Sequence, residues 1–173
     1  CPNVEKLVIL CSKADLPSTK FSAVITYEEL LSMGSENFEW IKGEETDACG
    51  ICYTSGTTGN PKGVVYTHRS NTLHALTQAA PDMLNLSSTD TIMPVVPLFH
   101  ANGWSIAYTA PLVGSSIVFP GADLSPSSLY DMLERGVTIT AAVPTVWLLL
   151  LNFLESEKKK LSSLKRVVIG CLL

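Results

Sequence analysis

Apolar and polar positions along the chain switch between a strand-like and a helix-like rhythm. KLVILC (6–11) reads as a buried strand. TYEELLSMG (26–34) opens with Thr26 and Glu29 in capping-box spacing and ends at Gly34, which predicts a short helix. CGICYT reads as a strand running into a glycine-rich loop, and GVVYT (63–67) as a strand leaving it. From His68 to about Ala80, Leu73, Leu76 and Ala80 recur at helical spacing and predict an amphipathic helix.

The second half is plainer. SSIVF (115–119) is a strand. Ser125 and Pro126 form an N-cap and a first-turn proline, Leu129, Met132 and Leu133 an apolar stripe, and Gly136 a helix stop. VTITAAV (137–143) alternates, with Val137, Ile139, Ala141 and Val143 on one face. Pro144 starts a helix through Leu154, and KRVVIG supplies a further strand. This β-α-β-α-β order implies right-handed crossovers. The expected class is α/β, a mainly parallel sheet flanked by helices. In such sheets ligands sit beyond the carboxyl ends of the strands. Three stretches fall there: the glycine loop after CGICYT, PLFHANGW after TIMPVV, and the PT after TITAAV. They are expected to converge on one cleft.

Composition narrows the classes. The 173 residues are 46% hydrophobic and 16% charged, which suits one packed domain. A net charge of −4 argues against a nucleic-acid partner, and EKKKLSSLKR reads as a solvated helix end. The most apolar run, VPTVWLLLLNFL (143–154), is too short to span a bilayer. Five cysteines form an odd set, and CGIC places Cys49 and Cys52 at a redox or zinc spacing. No second pair or spaced histidines follow, so two buried reduced thiols are expected, in a cytoplasmic setting. The chain starts at Cys1 without a methionine and stops at VVIGCLL, right after a strand. Both ends read as cut, and a fragment is expected.

The loop YTSGTTGNPKG (53–63) carries three glycines, four aliphatic hydroxyls and one lysine. Gly56, Gly59 and Gly63 allow left-handed backbone and close approach of a ligand. Thr54, Ser55, Thr57 and Thr58 add donors, and Lys62 adds a positive charge. Such a set makes a nest for an anion, and a polyphosphate is the usual occupant. It is not a Walker loop, because Lys62 follows Pro61 and precedes Gly63. With no base beside Ser55, the hydroxyls hold and do not attack.

YTSGTTGNPKG resembles the phosphate-binding signature of the adenylate-forming enzymes: acyl-CoA synthetases, luciferases and peptide-synthetase adenylation domains. PLFHANGW, VPTVW and LKRVVIG resemble the family's next three motifs in their expected order, and the likeness runs from about Val4 to Gly170. FHANGW together with GVVYTHRSN looks most like the fatty acyl-CoA synthetase branch. The resemblance implies that residues 1–173 are part of the AMP-binding N-terminal domain, with both ends truncated and the C-terminal domain absent.

It further implies an acid–thiol ligase. A carboxylate, expected to be fatty, attacks the α-phosphate of Mg-ATP, and coenzyme A then displaces AMP. Thr54, Ser55, Gly56, Thr57, Thr58, Gly59 and Lys62 would hold the β- and γ-phosphates, with the Thr54 hydroxyl a candidate Mg2+ contact. His100 and Lys62 would be the catalytic groups, the His100 imidazole donating to the pentavalent oxygen. His100, Gly103, Trp104, Val143, Pro144, Thr145 and Gly170 would bind the acid. Trp104, four residues past His100, is expected to share a helical face with it and to line or gate the acyl tunnel, with Gly103 leaving room beside it. Trp147, His68 and His74 are expected to be structural.

The sequence also departs from the family. Gly170 is followed by Cys171, Leu172 and Leu173 where relatives carry a second glycine and a small residue. The family's Tyr-Gly-x-Thr-Glu segment, ribose-binding aspartate and adenylation lysine are not among these residues, so the isolated chain is expected to be inactive. Two other readings stay open: an adenylation enzyme for an aryl or amino acid, and a non-catalytic remnant. Homo-oligomerisation of the parent also stays open.

Overall fold

The computed structural model describes residues 4–54 and 59–170, in two compact units divided after Lys42. In the first unit, β1 (Leu7–Ile9) pairs in parallel with β2 (Val24–Thr26), and α1 (Tyr27–Ser32) follows. The capping box forms as its spacing requires. The Thr26 hydroxyl accepts from the Glu29 amide at 3.1 Å, and the Glu29 carboxylate accepts from the Thr26 amide at 2.9 Å. The expected burial of the first strand is not found. Leu7 and Val8 stay well exposed; β2 is the one strand paired with β1 among the described residues.

The second unit opens with a hairpin, β3 (Ala48–Thr54) and β4 (Lys62–Thr67). The pair is antiparallel and forms a two-stranded sheet of its own, so the loop does not cap a parallel strand as expected. The reason is chain length. Seven residues join the strands, and a parallel crossover needs about a dozen or more. Gly63 also departs from expectation: it lies in β4 with extended pairing, and the Ile51 and Tyr53 side chains pack over it.

Thr67 caps α2 (His68–Ala79), accepting from the Ser70 amide at 3.1 Å. The expected apolar stripe is not the buried one. Leu73 and Leu76 are more than half exposed, whereas Ala75 is buried where α2 meets a later helix, α4 (Ile106–Val113).

The parallel sheet comprises β5 (Thr91–Pro94), β6 (Ser116–Ile117), β7 (Ile139–Ala142) and β8 (Arg166–Ile169), in the order β6-β5-β7-β8. Helices α5 (Pro126–Leu133) and α6 (Pro144–Ser156) cover one face, where Met93, Leu129, Leu133, Ala142, Trp147 and Leu150 pack together. α4 covers the other, with Leu84, Leu86, Ile92, Ile106, Ala110 and Ile139. β7 is therefore buried on both faces. Its Thr140 hydroxyl, facing away from Ile139 and Ala141, donates to the Met93 carbonyl at 2.8 Å. Val137 and Val143 lie outside the strand. Val137 packs with Leu133 on the α5 side, so the expected four-residue face reduces to Ile139 and Ala141.

At the amino ends of these strands, buried Asp90 gathers four elements. One carboxylate oxygen accepts from Thr138 at 2.8 Å, and the other from the Ser87 amide at 3.0 Å and from Arg166 at 2.6 Å. Its carbonyl accepts from Ser115 Oγ at 2.9 Å and the Ser116 amide at 3.1 Å. Burial pushes the carboxyl up, but the bonds from Thr138, the Ser87 amide and Arg166 outweigh it and hold Asp90 below the usual carboxylate range. No helix among the described residues is long and apolar enough to cross a membrane.

Candidate active site

The hairpin register sets Thr54 directly across from Lys62, at the mouth of the glycine loop. Both residues are exposed. The Thr54 hydroxyl has no hydrogen-bond partner among the described residues. Ser55, Gly56, Thr57 and Thr58 lie outside the described residues. Gly59 and Lys62 are described, on the returning side of the same loop.

Beyond β5, the chain turns at PLFHANGW. His100 leads into α3 (Ala101–Trp104), a single turn that is not a right-handed helix. Asn102 and Gly103 take left-handed angles (φ 51°, ψ 43° and φ 61°, ψ 37°), and Trp104 and Ser105 also carry positive φ. The expected right-handed face shared by His100 and Trp104 is therefore absent. Gly103 has a different role from the one expected. At φ +61° it sits against Leu98, whose Cδ2 would stand 2.9 Å from any added Cβ. It is required for the turn's own path and its approach to Leu98.

His100 and Trp104 meet nonetheless. Both line a cavity of about 370 Å³ together with Gln78, Met83, Val168 and Gly170. The Trp104 ring fills the space over Gly170. A Cβ at Gly170 would overlap the six-membered ring and lie 2.7 Å from its Cζ2 atom. His100, Trp104 and Gly170 thus come together from the end of β5 and the end of β8.

The other expected acid-binding residues do not join them. Val143 caps α6 and lines a separate cavity of about 550 Å³, walled by the Pro94–Leu98 chain, Phe119, Leu124 and Val146. Pro144 and Thr145 form the first turn of α6 and line neither cavity. Among the described residues, the three segments expected to form one cleft instead line two cavities and flank a separate hairpin loop, with Thr54 and Lys62 exposed. The segment from Pro94 to Leu98 lines the second of these cavities, and His100, two residues on, lines the first.

The two thiols of CGIC also part company. Cys52 is buried and donates to Asn102 Oδ1 at 3.0 Å. Cys49 is exposed, contrary to expectation, and accepts from Asn71 Nδ2 at 3.2 Å. It lines a third cavity of about 490 Å³ with His68, Thr72 and Tyr108. Trp147 is structural as expected, its Nε1 donating to the Ala142 carbonyl at 3.2 Å. Sequence reading missed Gln78, Met83 and Val168 as cavity walls, and no local motif marks them.

Comparison with known proteins places this geometry in a family. The family profile described as AMP-binding enzyme matches residues 4–171. The chain belongs to the AMP-binding enzyme family. Among relatives of this AMP-binding chain, a medium-chain-fatty-acid–CoA ligase of Ectopseudomonas oleovorans is 45% identical over 170 residues, covering 98% of this chain and 31% of the relative. A long-chain-fatty-acid–CoA ligase of Thermus thermophilus is 44% identical over 168 residues, covering 96% and 29%. A solved long-chain-fatty-acid–CoA ligase from Archaeoglobus fulgidus superposes with a TM-score of 0.75 at 32% identity, covering 87% of this chain and 32% of that one. O-succinylbenzoate coenzyme A synthetase from Bacillus subtilis, solved with AMP, superposes at 0.68 with 28% identity, covering 86% and 38%. This AMP-binding chain thus spans about three-tenths of the length of the curated relatives it matches.

Proposed function

We propose that the whole protein is an acid–thiol ligase that activates a fatty carboxylic acid with ATP and transfers it to coenzyme A, and that residues 1–173 form part of its N-terminal, AMP-binding domain. The observation that carries this is the cavity lined by His100, with Trp104 packed over Gly170, beyond the parallel sheet. It pairs one polar, protonatable group with apolar walls, as an acid with a hydrocarbon tail requires.

In the first step a carboxylate oxygen of the acid attacks the α-phosphorus of ATP. The bond from that phosphorus to the bridging oxygen breaks, and pyrophosphate leaves. In the second step the coenzyme A thiol sulfur, losing its proton, attacks the acyl carbon, and AMP leaves. The hairpin tip holds the phosphate tail: the loop amides from Thr54 to Gly59, its hydroxyls, and the Lys62 ammonium opposite Thr54 spread the charge of the leaving pyrophosphate. A magnesium ion would take the Thr54 hydroxyl as one oxygen ligand and supply further neutralisation of the phosphates. His100 donates to the oxygen that gathers charge on the reacting phosphorus. Trp104 shapes the entrance for the acyl chain beside His100.

The test is acid-dependent ATP–pyrophosphate exchange by the full-length protein, run over saturated acids of increasing chain length. Exchange that needs a fatty acid and magnesium supports the reading. Exchange driven by aryl or amino acids and not by fatty acids would overturn its substrate class.

A further inference from the structure

The strand that leads into the glycine loop and the turn that carries His100 are joined by one side-chain bond. Two residues before Thr54, the buried Cys52 thiol donates to Asn102 Oδ1 at 3.0 Å, and the Phe99 carbonyl lies 3.8 Å from the same sulfur. Asn102 begins the left-handed run through Ser105, with φ of 51°, 61°, 55° and 61°. Left-handed backbone is unfavourable for residues bearing a Cβ, so this turn needs support from outside itself. Its own bonds, Gly103 to the His100 carbonyl at 2.9 Å and Ser105 to the Asn102 carbonyl at 3.2 Å, run within the turn. Thr109 Oγ1, donating to the Ser105 carbonyl at 3.0 Å, anchors its far end to α4. Among the described residues, the Cys52 thiol is the side-chain donor that ties it to the hairpin.

We propose that Cys52 is a positioning residue: its thiol, through Asn102, fixes the turn carrying His100 and Trp104 in register with the strand carrying Thr54. The inference rests on the ligase reading, in which the hairpin holds the leaving phosphates and the turn faces the acid. An in-line displacement demands a fixed spacing between those two halves, and small errors in it are costly. Burial by itself would ask only for a small apolar residue at this position. The short contact to a polar atom two residues beyond His100 asks for a donor.

The experiment uses the full-length protein with Cys52→Ala, Asn102→Ala, the double variant and Cys52→Ser. Each alanine variant is expected to lower kcat for pyrophosphate exchange about tenfold while KM for Mg-ATP moves less than about twofold, since binding groups are untouched and their alignment is lost. The double variant should be no worse than either single one, because both remove the same bond. Serine keeps a donor and should restore kcat to within about threefold of wild type. In parallel, amide exchange over residues 99–105 should quicken about fivefold in both alanine variants and stay near wild type in Cys52→Ser. Additive losses, failure of serine to rescue, or a lowered melting temperature with unchanged exchange over 99–105 would each overturn the proposal. If Cys52→Ala does not fold, Asn102→Ala probes the bond from the turn. A wild-type protein without pyrophosphate exchange would defeat the ligase reading, and the amide-exchange comparison then decides the Cys52–Asn102 link by itself.

Discussion

The Trp104 ring occupies the space that a side chain on Gly170 would need, its Cζ2 standing 2.7 Å from where a Cβ would be. Two segments 66 positions apart in the chain thereby define one wall of the cavity that holds His100. Glycine at the end of β8 is what lets an indole lie there, and the size of the cavity depends on both residues.

Gly170→Ala is expected to push the indole aside. Overpacking of this kind costs about 1–3 kcal/mol. A thermal melt of the full-length variant should show the loss, and its chain-length profile should shift. Trp104→Ala is expected to open the cavity and to broaden acceptance toward longer acids, measured by pyrophosphate exchange across a chain-length series. An unchanged profile in Trp104→Ala would remove Trp104 from the acyl path.

Lys62→Ala should separate phosphate binding from folding. Lys62 is exposed in β4, opposite Thr54, so melting temperature should move little. KM for Mg-ATP should rise about tenfold or more, as expected for loss of a charged contact to phosphate. Initial-rate kinetics at varied Mg-ATP measures it.

Gly103→Ala meets two penalties at once. Its φ of +61° is unfavourable for alanine, and the new methyl would stand 2.9 Å from Leu98 Cδ2. The left-handed conformation alone costs about 1–2 kcal/mol. Urea denaturation should show at least that loss, with a fall in activity from displacement of His100 and Trp104.

Asp90 supplies an acid limb to stability. Its folded carboxyl titrates below the ordinary range, so the unfolded chain binds the proton more readily. The contribution is complete above the unfolded carboxyl value of about 4 and is lost as pH falls through the lower folded value. Urea midpoints measured from pH 7 down to 3 should drop more steeply for wild type than for Asp90→Asn. At pH 7, Asp90→Ala should cost about 2–4 kcal/mol, since the Thr138 hydroxyl, the Ser87 amide and the Arg166 guanidinium lose their acceptor.

Local features were legible in the chain, and the contrast with what was not legible is physical. The Thr26–Glu29 box, the Ser125 cap before Pro126, and the strands around residues 116, 139 and 166 formed where spacing placed them. The cap bonds reach three residues, and each strand follows a short apolar run, so nearby letters mark both even though the strands' ladder bonds are long-range. The left-handed run from Asn102 to Ser105 was not legible, because its spacing mimics a helix and its support comes from Cys52, 50 residues away. Likewise the exposure of Leu73 and Leu76 reflects where α4 packs, which no helical period encodes.

From its letters alone, this chain could be assigned an α/β class, a loop built for phosphates, and a family. Each rests on short-range patterns: apolar periodicity, cap chemistry, and the density of glycine, hydroxyl and lysine between residues 53 and 63. Tertiary structure alone decided that the loop tips an antiparallel hairpin, that Val143 lines a different cavity from His100, and that Trp104 rests on Gly170. It also paired Asp90 with Arg166 across 76 residues. Contacts at such separation follow from how sheet and helices pack in space, and the order of residues along a strand or turn carries no record of them.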